Sequence, residues 1–91
     1  MLLFFASCET TDVVDSGIYT GTVDEVEPAK TEIYVKTAEG ETLELYFTEE
    51  TSLSRAGEEV DFSTLEEGMT VEVEVERVGK RLDPISVEIM E

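Results

Sequence analysis

From residue 17 onward, apolar and polar residues alternate with a period of two, and no stretch keeps the helical period for three turns. The clearest alternation spans 69–76, where four apolar residues take turns with four polar ones. The other segments with this pattern are 17–26, 32–37, 42–47 and the residues that follow the Gly79-Lys80 turn. We therefore predict an all-β domain built from five strands.

The first segment needs an irregularity to keep its apolar residues together. Tyr19, Gly21 and Val23 share one face. Val26 joins that face only if Asp24-Glu25 forms a bulge. Gly21 lies in the middle of the strand, where a missing side chain indicates a sharp bend or the close approach of another strand.

The turn between the second and third segments fixes their register. Ala38-Glu39-Gly40 suits a three-residue hairpin loop that ends with Gly40 in the left-handed conformation. This turn places Val35 opposite Leu43. Ile33 then lies opposite Leu45, so the turn and the burial of apolar residues select the same register. The outward face of this hairpin carries Glu32, Tyr34, Lys36, Thr42, Glu44 and Tyr46.

The last hairpin turns at Gly79-Lys80. A two-residue turn there would set Val75 opposite Pro84 and direct the following apolar residues to the wrong face. One extra residue at Asp83-Pro84 restores the pattern, and proline within a strand is typical of bulges and edges. The predicted pairs are then Val75 with Ile85, Val73 with Val87 and Val71 with Ile89.

The connection 48–61 is the longest in the chain. It is polar and contains Gly57, which predicts a loop. After it, Ser63-Thr64-Leu65-Glu66 has the capping-box pattern of one short helical turn, which Gly68 can end. Phe62 and Leu65 are expected to plug one end of the interior.

Together these segments predict a small five-stranded OB-like barrel with one short helical turn before the fourth strand. Closing the sheet hides edges that would otherwise aggregate. An SH3-like barrel or a small sandwich is the alternative. A domain of this size buries only roughly 60% of its unfolded surface, so a deep catalytic cleft is not expected.

The N-terminal residues indicate where in the cell the protein is located. The apolar stretch 1–7 is far shorter than the ~20 residues that a membrane span needs. Phe5-Ala6-Ser7-Cys8 and the polar residues after it resemble a bacterial lipoprotein signal with its lipobox, although the charged n-region of such a signal is missing. By this resemblance 1–7 is a signal-peptide remnant, the Cys8 thiol carries a lipid, 8–16 is a flexible tether and 17–91 is the barrel. A structural first strand or an unrelated apolar tail remain alternatives.

A second resemblance covers about residues 17–90. The G-x-V-x-x-V start at Gly21 and the L-x-x-G-x-x-V sequence from Leu65 to Val71 are similar to a bacterial family of small secreted and lipid-anchored domains. The resemblance implies an OB-like β-barrel. It carries no catalytic residue to this chain.

Composition narrows the function. The chain has 23 Asp plus Glu against 6 Lys plus Arg, for a net charge of −17, and this excludes nucleic acid as a partner. It has no histidine and one cysteine, so an intrachain disulfide and a zinc site of the Cys/His kind are excluded. No cofactor is predicted.

Two tyrosines are the candidate ligand-binding residues. Tyr34 and Tyr46 are diagonal neighbours in the predicted register, on the face where OB folds bind ligands. They could grip a sugar ring or a peptide side chain, or they could simply stiffen the hairpin. The carboxylate row Glu72, Glu74 and Glu76 predicts no metal site, because side chains two apart on a strand lie some 6.6 Å apart.

These observations predict a non-enzymatic binding or assembly module of the bacterial cell envelope, anchored in a membrane through a lipid and facing away from the cytoplasm. The alternative is an OB-like domain that binds a saccharide, a peptide or a basic partner. No pairing of a nucleophile with a base supports an enzyme.

Overall fold

The computed structural model describes residues 11–90. It contains seven strands and two short 3₁₀ turns, Pro28–Lys30 and Phe62–Thr64. The strands are β1 (Gly17–Glu27), β2 (Glu32–Thr37), β3 (Thr42–Tyr46), β4 (Ser52–Arg55), β5 (Glu58–Glu59), β6 (Thr70–Val78) and β7 (Arg81–Ile89). They form one sheet in the order β3-β2-β1-β6-β7-β4-β5.

The sheet curls into a barrel through β4. All neighbouring strands are antiparallel except β4 and β7, which pair in parallel with Leu53 opposite Val87. Since β3 runs in the same direction as β7, β4 continues the course of β3 after the break at 47–51. Thr51 secures this break, because its hydroxyl donates to the carbonyl oxygen of Pro84 at 2.9 Å.

Inward-facing aliphatic residues from every long strand meet in a single core. Its most enclosed members have almost no exposed surface. The buried core residues are Val14, Val23, Ile33, Val35, Leu43, Leu45, Leu53, Leu65, Val71, Val73, Val75, Leu82, Val87 and Ile89. Phe47 and Phe62 pack against this core, with their rings edge to face at 5.0 Å.

The predicted irregularity of β1 is confirmed. Val23 pairs with Val35 and Glu25 with Tyr34, so Asp24 is the extra residue of a bulge. The close approach predicted at Gly21 is also present, since a Cβ atom there would lie 2.4 Å from the carbonyl oxygen of Lys36.

The last hairpin corrects one predicted pair. Val73 lies opposite Val87 and Val71 opposite Ile89, as predicted, but Val75 lies opposite Pro84 instead of Ile85. Ile85 is the extra residue of the bulge and is 42% exposed. The bulge therefore forms one residue later than the proline suggested, and Leu82 fills the core in place of Ile85.

The connection 48–61 also differs from the prediction, because it contains β4 and β5 instead of an uninterrupted loop. The helical turn after it is present at Phe62–Thr64, before the long strand β6. The predicted capping box is wrong. Asp61 is the N-cap residue, no side chain caps the turn, and Leu65 is extended where a longer helix would continue.

Residues 12–16, which the sequence pattern assigned to the tether, lie against one end of the barrel. Val14 is only 8% exposed and belongs to the core. The Ser16 hydroxyl accepts a hydrogen bond from the backbone N–H of Arg77 at 2.8 Å. The proposed lipid-bearing Cys8 lies outside the described residues. Within 11–90 no helical segment has the length and apolar content that a membrane span requires.

Candidate functional site

The outward face of the β2–β3 hairpin gathers two carboxyl groups and two phenols. Glu32 lies opposite Tyr46, and Tyr34 lies opposite Glu44, so the predicted diagonal arrangement of the two tyrosines is confirmed. We call these four residues the hairpin quartet. Their ligand-binding role stays a prediction.

The antiparallel pairing of β2 with β3 brings the four residues of the quartet close together. The backbone N–H of Thr37 donates to Glu41 O and that of Phe47 donates to Thr31 O, each at 2.8 Å. Hydrogen-bonded pairs alternate with non-hydrogen-bonded pairs along an antiparallel ladder, so Glu32 and Tyr34 occupy the non-hydrogen-bonded positions. At these positions the facing Cβ atoms are closest, about 4.5–5.5 Å apart.

Glu32 departs from the exposed position that the outward face predicted. Glu32 is 0% exposed, whereas Tyr46, which lies opposite it, is 45% exposed. Both carboxyl oxygens of Glu32 are buried, and the carboxyl of Glu44 and the phenols of Tyr34 and Tyr46 lie within hydrogen-bonding reach of the Glu32 carboxyl. The sequence could not indicate this burial, because the alternation of apolar and polar residues places Glu32 on the outward face and does not show which side chains cover it there.

The environment alters the protonation of this cluster. Burial, followed by the neighbouring carboxyl group of Glu44, raises the pKa of Glu32 above its usual value, although the two phenols oppose the rise. Burial also raises the pKa of Tyr34. The pKa of Tyr46 is raised to about 12, first by its contact with Glu44. Both phenols are therefore neutral at physiological pH.

Tyr46 also borders a groove of about 750 Å³ between the end of β3 and the first half of β7. We call it the β3–β7 groove. It exists because the chain leaves the sheet after β3 and pairs with β7 only from Ser52 onward. Its lining residues are Tyr46, Thr48, Glu49, Glu50, Glu76, Arg81, Leu82, Asp83, Pro84 and Ile85.

The groove combines apolar surface with an acidic rim. Ile85 and Pro84 supply apolar atoms beside the Tyr46 ring. Arg81 is the cation of the lining, and its guanidinium is held by both carboxylate oxygens of Asp83, at 2.7 and 3.2 Å. The remaining charged side chains of the lining are acidic. The sequence analysis missed this groove because it placed the bulge at Asp83-Pro84, which directs Ile85 into the barrel, whereas the extra residue is Ile85 itself.

Within 11–90, no three His, Cys, Asp or Glu side chains converge as a metal-binding group. Two methionines lie at the ends of the last strands, where Met69 packs toward the core and Met90 is exposed.

Comparison with protein-family models gives no match, and comparison with curated proteins gives none either. Solved structures are similar. The silver(I) form of CusF aligns with a TM-score of 0.62 and 14% identity, over 80% of this chain and 95% of that one. A Cu(II) form of a tryptophan-to-alanine variant of CusF from Escherichia coli gives 0.63 and 13%, over 92% and 100%. Apo-CusF from Escherichia coli gives 0.59 and 14%, over 92% and 100%.

At these identities the likeness concerns the fold and carries no ligand to this chain. The predicted class is thereby confirmed: the domain is an all-β, OB-like barrel.

Proposed function

We propose that this chain is a non-enzymatic binding module of the bacterial cell envelope, and that its β3–β7 groove binds an extended, cationic segment of a partner protein. The observation that carries the proposal is the composition of the groove. An exposed tyrosine and an exposed isoleucine lie within a rim of carboxylates whose one arginine is already neutralised by Asp83.

Charge selects the kind of ligand. The chain carries a net charge of −17, and Glu49, Glu50 and Glu76 add negative potential at the groove itself. Complementary charge speeds association and selects against partners of the wrong sign. A segment with lysine or arginine beside apolar side chains matches both features of this lining.

Size and shape favour a segment over a compact small molecule. The volume of about 750 Å³ falls within the range of ligand pockets, but the groove runs along an exposed strand edge. Extended peptides bind such edges by main-chain hydrogen bonds and place alternate side chains in neighbouring pockets. A sugar platform has less support, because Tyr34 is half-buried and Tyr46 offers one exposed ring.

We also propose that a lipid on Cys8 anchors the chain in a membrane. Cys8 is followed by a polar segment, and the first barrel contacts of the described chain include Asp12. Four extended residues span at most about 14 Å. A lipid on Cys8 would hold the barrel end that contains Asp12 within this reach of the membrane surface.

Binding is tested with short labelled peptides that alternate Val with Lys, with Glu or with Ser, measured by fluorescence anisotropy on the whole chain. We expect the Lys peptide alone to bind. Glu49→Gln combined with Glu50→Gln should weaken it about tenfold, a loss of about 1.4 kcal/mol. The matched control is Glu72→Gln combined with Glu74→Gln, which changes the net charge equally at two residues of β6 that do not line the groove.

Equal losses in the two double variants would show binding to overall charge and would overturn the groove assignment. A neutral oligosaccharide that binds with higher affinity than the Lys peptide would replace the proposed ligand class. The anchor is tested by intact mass after expression in a bacterium with an upstream start. We expect cleavage before Cys8 and added acyl mass, and an unmodified Cys8 with residues 1–7 retained would contradict the anchor.

A further inference from the structure

We propose that a second cavity, beside the turn 48–51, binds a primary alkylammonium group, the chemistry of a lysine side chain or of a free amine. The cavity has a volume of about 430 Å³, which suits a small ligand. We call it the phenylalanine cavity, because Phe47 and Phe62 line it. The proposal goes beyond the proposed function, since it concerns a different cavity that a free amine could fill without any peptide in the groove.

Part of the cavity wall is apolar. Phe47 and Phe62 are half-buried, and their rings meet edge to face with an interplanar angle of 87°. Leu53, which is buried, and Val60 also line the cavity. Such a surface covers an alkyl chain favourably, and aromatic rings attract a cation that lies over their faces.

Three acidic residues line the same cavity, namely Glu49, Glu59 and Asp61. They come from separate places in the chain: the turn after β3, the strand β5 and the residue before the second 3₁₀ turn. All three are exposed, and the described residues that line the cavity include no lysine or arginine. The cavity therefore attracts a cation with an apolar body and repels an anion.

Hydrogen bonds hold the cavity wall in place. The backbone N–H of Val60 donates to Leu53 O at 3.1 Å. Within the turn 48–51, the backbone N–H of Thr48 donates to the hydroxyl of Thr51 at 3.0 Å, and that of Thr51 donates to Thr48 O at 3.0 Å. A preformed wall lowers the cost of ordering the site when a ligand binds.

The arrangement of acceptors favours an ammonium group among cations. Its three N–H donors point in different directions, so it can donate to acceptors from separate segments. The planar guanidinium group of arginine instead matches a single carboxylate through two parallel bonds. A quaternary ammonium group has no N–H to donate. A bare metal ion fits less well, because within 11–90 no three acidic side chains converge as a metal-binding group.

The probe is n-butylammonium, and 1-butanol is its neutral counterpart. Each is titrated into the isotopically labelled whole chain and followed by NMR. We expect n-butylammonium to shift the amide signals of Phe47, Val60 and Phe62, and 1-butanol to bind more weakly. Glu59→Gln combined with Asp61→Asn should weaken n-butylammonium binding about fivefold. Both residues are exposed, and Asp61 makes no side-chain capping bond, so folding is expected to survive.

The matched control is Glu72→Gln combined with Glu74→Gln, which changes the net charge equally at residues of β6 that do not line the cavity. Glu49 is left unchanged because it also lines the β3–β7 groove. Equal weakening in the two double variants would overturn the site. Equal affinity for 1-butanol, or shifts spread over the whole acidic surface, would overturn it as well.

The source of the ammonium group is identified by measuring the Lys peptide on the Glu59→Gln and Asp61→Asn double variant. Weaker peptide binding would assign the cavity to a lysine of the bound segment, and unchanged peptide binding would assign it to a free amine. Failure of the Lys peptide to bind the parent chain would contradict the proposed function, whereas the n-butylammonium result does not depend on that peptide.

Discussion

Asp12 and Thr42 hold each other through two hydrogen bonds. The backbone N–H of Asp12 donates to Thr42 O at 2.8 Å, and the backbone N–H of Thr42 donates to Oδ2 of Asp12 at 3.0 Å. Thr42 begins the edge strand β3, so this contact satisfies edge groups that would otherwise face solvent. It also positions the residues that follow Asp12, so that Val14 enters the core.

Val14 should therefore contribute to folding although it precedes the first strand. We expect Val14→Ala to lower the free energy of unfolding by about 1–2 kcal/mol, because two buried methyl groups are lost from the end of the core. Urea denaturation followed by circular dichroism measures the change. Val13→Ala is the matched control, since Val13 is exposed, and an equal loss there would show that Val14 is not specifically packed.

Gly21 should not tolerate substitution by a residue with a side chain. The Cβ atom of Gly21→Ala would lie 2.4 Å from Lys36 O and 2.8 Å from a methyl of Val35, so β1 and β2 would have to separate. We expect a loss of about 3 kcal/mol by overpacking. At Gly57 the backbone φ is +82° and no atom lies within 4 Å of the added Cβ, so Gly57→Ala should cost only about 1–2 kcal/mol. A smaller loss at Gly21 than at Gly57 would contradict the close approach.

The sequence specifies register wherever turn chemistry and hydrophobic alternation act on the same residues. At the β2–β3 hairpin, Gly40 has φ +92° and Leu43 lies opposite Val35, as the loop predicted. The bulge of β1 was predictable for the same reason, because Val26 reaches the interior only with one extra residue at Asp24.

The remaining features depend on contacts between distant segments. β4 is short and polar, and it becomes a strand only because β7 offers a parallel edge. The position of the second bulge could not be read from Pro84, since a bulge on either side of it restores the alternation up to Val87. The outward placement of Tyr34 and Tyr46 was predictable from the register, whereas the burial of Glu32 was not, because it depends on how the neighbouring side chains are arranged in the folded hairpin.

The protonation of Glu32 should make stability depend on pH. Its folded-state pKa lies above the usual value of 4.5, so the folded chain holds a proton that the unfolded chain has released as pH rises past that value. Stability contributed by the protonated form is then lost as pH rises toward the folded-state pKa. We expect Glu32→Gln to be more stable than the parent at neutral pH, and nearly equal to it below the usual pKa.

Urea denaturation of both proteins across this pH range measures the difference. Glu72→Gln is the control, because it removes one charge from a half-buried position of β6 and so reports general charge repulsion. A gain at neutral pH that is the same in both variants would contradict a special role for Glu32.

The last hairpin offers a direct test of its register. Leu82 is 4% exposed and Ile85 is 42% exposed, although the predicted bulge at Asp83-Pro84 placed Ile85 in the core. Leu82→Ala should therefore cost about 2–4 kcal/mol through the cavity it leaves, whereas Ile85→Ala should cost about 0.5 kcal/mol. Urea denaturation of the two variants measures both values. The opposite ranking would place the extra residue at Asp83-Pro84 and would remove Ile85 from the wall of the β3–β7 groove.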